Sequence, residues 1–138
     1  SRGIGRSIAE KFIESNYKVI IGYKDNHGKA ETLVTPENMA CTVKIDIGSS
    51  DSVNTAFDEI ESKYGTVDIL INNAGISQIK AFEELEDEDW FNMLSINLVG
   101  AFRCSKRALK NMKKSGLKRA YEYSHKNIGN LIKGLLDA

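Results

Sequence analysis

Several things are scarce in this sequence of 138 residues, and each scarcity excludes something. Net charge is missing: 19 Lys and Arg balance 19 Asp and Glu, so no overall field draws the chain to nucleic acid or anionic membranes. Long apolar runs are missing too. The longest are of the size of Val19-Ile20-Ile21, too short for a membrane-spanning helix or a secretory leader's apolar core. Cysteine occurs only at Cys41 and Cys104, a spacing that suits no metal site. One disulfide is conceivable, but two buried free thiols in a reducing cytoplasm are the preferred expectation. Proline occurs once, at Pro36, where it must stop any helical turns formed over 28–34. There is no initiator Met, and a motif stands at the very start, so the chain is expected to be a fragment. What remains, 41% hydrophobic and 28% charged residues, describes an ordinary globular chain long enough for one real core.

Periodicity supplies the elements. Ile4, Ile8, Ala9, Phe12 and Ile13 recur at helical spacing and predict a helix over about 5–15. "YKVIIGY" (17–23) and "MACTVKIDI" (39–47) read as strands, the first apolar on both faces as parallel sheets require. Ser49 or Ser50 can cap a helix with Val53, Ala56, Phe57, Ile60 and Tyr64 inward and Gly65 at its end. "VDILINNAG" (67–75) predicts a third buried strand with a glycine-terminated loop. The acidic run "EELEDED" leads into a long helix over about 87–114, closed by Gly116, whose end charges suit the helix dipole. That run is read as a solvated face. Strands alternating with helices predict an α/β fold, a parallel Rossmann-type sheet with helices on both faces.

Two motifs carry chemistry. "SRGIG" places bare N–H groups and a positive helix end where a pyrophosphate can sit, although such a glycine pair is as often purely structural. "INNAG" stands at the carboxyl end of a strand, where ligands bind in open α/β sheets. Together with "KIDI" and the helix "DEDWFNMLSINLVGAFRCSKRAL", they resemble one family closely, the short-chain dehydrogenases/reductases, with bacterial 3-oxoacyl-[acyl-carrier-protein] reductases nearest. The resemblance runs over 1–116, read as a partial NAD(P)-binding domain, and leaves 117–138 as a helical tail.

The resemblance implies the following roles. Ser1, Arg2, Gly3, Ile4 and Gly5 form the phosphate turn, whose first glycine would lie upstream. Asp46 and Ile47 frame adenine. Asn72, Asn73, Ala74 and Gly75 line the adenine ribose and the nicotinamide side. Asn97, inside the long helix, holds a proton-relay water, its alternative being a tolerated exposed polar residue. The long helix is the family's homo-oligomer surface, and the parent activity is reduction of a ketone, with a 3-oxoacyl thioester as one candidate. Cofactor choice has its own argument. An acid at the end of the second strand suits NAD, but here Tyr23 and Lys24 stand there, with Arg2 facing the same corner, which suits the 2′-phosphate of NADP.

The pattern then breaks. The family's fifth strand ends in a catalytic Ser, and the next helix carries Tyr and Lys four apart, so that the cation lowers the phenol's pKa. Between Gly116 and Tyr121 only four residues intervene, too few for that strand. In "YEYSHKNIGNLIKGLL" the candidates Tyr123 and Lys126 are three apart. The tail is either a deletion joint or unrelated sequence, expected to be helical over about 119–136. The sheet is expected to lack its first and fifth strands, and the chain to bind nucleotide without turnover or to serve as an interaction module.

Overall fold

Two short stretches rich in β-branched residues, Val19–Tyr23 (β1) and Ala40–Lys44 (β2), run side by side in parallel, Val19 opposite Ala40 and Tyr23 opposite Lys44. A parallel pair cannot be closed by a tight turn. Here the crossover contains a short helix, His27–Glu31 (α2), which ends ahead of Pro36. The structure, a computed structural model, describes residues 3–77 and 79–112.

Strand alternation sends side chains to two faces, and each face has its own helices. Ile21 and Ala40 point to one side and bury Ala9 of the first helix, Gly3–Glu14 (α1), with Ala30 and Leu33 around α2. Val43 points to the other side, with Ile20 and Ile45, onto Ala56 and Ile60 of the helix Ser50–Tyr64 (α3). A further cluster joins Val53 and Phe57 of α3 to Cys104, Ala108 and Met112 of a helix over Ala101–Met112. The expected α/β architecture with helices on both faces is present. Ser49 is the cap of α3, its Oγ accepting from the Ser52 N–H at 3.3 Å. Arg107 braces the same pair of helices by donating to Glu61 and Asp58 on α3.

Four expectations need correction. α1 begins at Gly3, and Ile4 is 75% exposed rather than part of the inward stripe, whose buried member is Ala9. Tyr64, at the last turn of α3, is exposed where the core has already ended. Cys104 is buried but Cys41 only half so, both as free thiols. The fourth correction is the largest. Residues 67–75 form no strand, and the described sheet has two strands only. Val67 and Leu70 lean on the α3 core while Ile69 and Ile71 stay half exposed. An apolar run becomes a strand only with a neighbour to bond, and among the described residues this segment pairs with no strand.

The long helix starts where its acidic run predicts, at Asp87, with the Glu86 N–H donating to the Asp89 carboxylate at 3.1 Å. It is not uniform. Asp87–Leu94 (α4) and Ala101–Met112 (α5) are α-helical, but Ser95–Gly100 between them is wound as a π-helix. Among the described residues no helix is long and apolar enough to cross a membrane. The tail over 117–138, with the expected helix and the candidates Tyr123 and Lys126, lies outside the described residues, as do Ser1 and Arg2.

Candidate functional site

Gly3 opens α1 in the left-handed region at φ +57°, with open space where a β-carbon would point. The first turn carries no acidic side chain. Its N–H groups precede the helix's own bonding ladder and face outward as donors at the positive end. Gly5 is crowded instead: a β-carbon there would stand 2.4 Å from Asn73 Nδ2. The glycine turn and the Asn-Asn-Ala-Gly loop, almost seventy residues apart in sequence, therefore touch.

That loop is held from α5 and from the π-helical stretch. Asn72 Nδ2 donates to Ser105 Oγ at 3.0 Å. Asn97 makes a two-sided clasp, its Oδ1 accepting from the Ile76 N–H and its Nδ2 donating to the Ile76 carbonyl, both at 2.8 Å. Gly75 lies beside it, a β-carbon there falling 3.2 Å from Asn97 Oδ1. Asn97 is exposed, as a tolerated polar residue is, yet its amide is engaged on both sides. Ala74 stands exposed between these fixed points.

A second group gathers where β1 and β2 end. The Tyr23 ring sits 4.9 Å from that of His27. Lys24 Nζ meets Asp46 Oδ2 at 2.8 Å. The other oxygen of Asp46 accepts from the Gly48 N–H at 2.9 Å, and its own N–H donates to Ser52 Oγ at 2.8 Å. The hydrogen bond from Lys24 holds the Asp46 carboxyl below its ordinary range, and the same contact raises the Lys24 ammonium. The cation expected at the ribose corner is thus committed to a carboxylate. Ile47 is half-buried against the α3–α5 core, and a β-carbon on Gly100 would fall 2.8 Å from its Cδ1. An open cleft of about 420 Å³ lies along this edge, lined by Lys24, Lys44, Asp46, Ser52 and Thr55 among others.

Sequence reasoning missed Ser52, Gly48, Ile76 and Gly100. The spacing Asp46-x-Gly48 was a usable signal, since aspartate commonly accepts from the backbone two residues on. The clasp of Asn97 on Ile76 left none, because neither partner is marked by its neighbours. Among the described residues no three His, Cys, Asp or Glu side chains could hold a metal ion. The arrangement offers N–H donors, amides and one ion pair, which is equipment for binding and orienting a polar ligand.

The model of the family described as short chain dehydrogenase matches residues 1–119. A 3-oxoacyl-[acyl-carrier-protein] reductase, FabG, of Staphylococcus aureus is 32% identical over 116 residues, covering 81% of this chain and 47% of its own. A 3beta-hydroxysteroid dehydrogenase of Mediterraneibacter gnavus is 36% identical over 118 residues, 83% of this chain and 43% of its own. Among solved structures, a gluconate 5-dehydrogenase from Burkholderia cenocepacia in complex with NADP and tartrate superposes with TM-score 0.74 at 28% identity, over 83% of this chain and 46% of that one. The chain thus spans about half the length of the curated relatives it matches. With the family's match running through the last described helix, this chain belongs to the short-chain dehydrogenases.

Proposed function

We propose that the chain is the dinucleotide-binding part of an NADP-dependent short-chain dehydrogenase/reductase whose whole form reduces a ketone, with a 3-oxoacyl thioester as one candidate substrate. The observation that carries this reading is the meeting of the two motifs, Gly5 against Asn73, with the loop's Gly75 seated against Asn97 of the long helix. The residues suit the cofactor: an acid-free helix start with an open Gly3 accommodates a pyrophosphate. In this reading Gly3, Ile4 and Gly5, with Ser1 and Arg2, hold the pyrophosphate and the 2′-phosphate corner, and Tyr23 and Lys24 complete that corner. Asp46 and Ile47 take the adenine. Asn72, Asn73, Ala74 and Gly75 line the ribose and nicotinamide side, kept in place by Asn97. NADPH, when bound, supplies the hydride.

NADP rather than NAD is supported by the end of β1, where Tyr23 and Lys24 stand in place of a carboxylate. Tyr123 and Lys126 are the proton-transfer candidates, three residues apart instead of four. On any helix, a spacing of three in place of four turns one side chain by about 100° from where the family's spacing would set it. Misplacements near 1 Å can lower a rate on the order of a hundredfold. The chain by itself is therefore expected to bind nucleotide without reducing ketones. Calorimetric titration should show NADPH bound more tightly than NADH, with Tyr23→Asp reversing the order. Equal affinities before and after the change would overturn the cofactor assignment. NADPH with a 3-oxoacyl thioester should lose no absorbance, whereas a rate abolished by Tyr123→Phe would overturn the inactive reading.

A second reading, association with another copy, is supported by the long helix, where Phe91, Leu98 and Phe102 are each more than half exposed. It is compatible with the first.

A further inference from the structure

Ligands in open α/β sheets bind outside the carboxyl ends of the strands. The Lys24–Asp46 ion pair lies across those ends, one partner following β1 and the other following β2. Its two halves are held differently. Asp46 is anchored at both its carboxylate and its main chain, by Gly48 and Ser52. Lys24 extends from a flexible stem into solvent, its side chain 54% exposed. With the charged heads 2.8 Å apart, no ring can lie between them until the lysine swings away.

We propose that Lys24 is a gate residue, closing the adenosine subsite by pairing with Asp46 and exchanging that carboxylate for the ligand's 2′-phosphate on opening. The proposal rests on the reading of this edge as the adenosine end of the nucleotide site. Opening removes the ammonium from its partner with any adenosine ligand. Only a ligand carrying a 2′-phosphate gives it a new one, by a charge-assisted contact. A lysine that merely touched the ligand would behave differently on removal. Its loss would weaken a 2′-phosphorylated ligand and leave an unphosphorylated one unchanged or weaker. Removal of a gate weakens the first and tightens the second.

The test uses 5′-AMP and 2′,5′-ADP as probes, titrated into the wild-type chain, Lys24→Met and Lys24→Gln. The side chain is exposed, so neither variant removes core packing. Both variants should bind 5′-AMP about two- to fivefold more tightly, the range expected for releasing one solvent-exposed ion pair. Both should bind 2′,5′-ADP more weakly than wild type. If wild type binds the probes but 5′-AMP affinity is unchanged or falls in the variants, the gate is overturned and the nucleotide site stands. If wild type binds neither probe, the nucleotide reading itself is overturned and the gate with it.

Discussion

Asn97 shows what one side chain can hold. A polar residue inside a helix is ordinarily a small liability, yet this amide closes a donor–acceptor pair on Ile76 and fixes the end of the loop that begins at Asn72. Asn97→Ala should remove both bonds and cost about 1–2 kcal/mol, taking net worths near the middle of the usual range for two exposed bonds. Asn97→Asp is the sharper variant. It keeps an acceptor for the Ile76 N–H but sets a second oxygen against the Ile76 carbonyl. It should destabilise at least as much as alanine in thermal melts and speed amide exchange at Ile76. An aspartate variant that melts like the parent would remove the clasp from the account. At this scale the sequence was legible for residue identity and not for partnership. Lys24 and Asp46 were both marked as ligand-facing, and nothing local indicates that residues 22 positions apart face each other first.

Among the elements, α3 could be read almost completely, because each of its determinants is local: a serine cap, an apolar stripe of period 3.6 and a terminal glycine. The segment over 67–75 could not, because strand formation depends on a neighbour that sequence does not display. The π-helical stretch was equally hidden, since Ser95–Gly100 has an unremarkable helical composition. Its last residue offers a test. Alanine at a helix interior normally outperforms glycine by about 1 kcal/mol. At Gly100 the order should invert, since the new β-carbon meets three atoms of Ile47, including its Cβ at 3.1 Å, near the main chain. Gly100→Ala should cost about 1–3 kcal/mol in chemical denaturation, as overpacking does. A stabilised variant would show that helix and Ile47 can separate freely.

For the molecule as a whole, the open sheet sets the behaviour. β1 bonds β2 along one edge, and Ile69 and Ile71 stand half exposed on a segment without a described ladder. Unpaired edges beside exposed β-branched residues invite pairing between chains. Ile69→Lys with Ile71→Lys should lower light scattering at a given concentration while leaving the helical circular dichroism unchanged. Scattering that persists would move the sticky surface to the exposed Phe91 and Phe102 of the long helix.

The two-stranded sheet is also a thin partition, with α1 and α2 on one side and α3 and α5 on the other. Each side has its own cluster of buried residues, so the halves can lose order one at a time. Cooperative units of this kind open separately, each with its own free energy. Hydrogen exchange should resolve two steps, α1 and α2 opening before α3 and α5, whose two clusters together bury more residues. Asp46 is bonded to Ser52 of α3 and Lys24 leads toward α2, while Gly5 belongs to α1 and Asn73 to the loop held by Ser105 of α5. A molecule bound across those contacts would act as a rivet. Its presence should merge the two steps into one, so that occupancy is felt as shared cooperativity far from any atom the ligand touches.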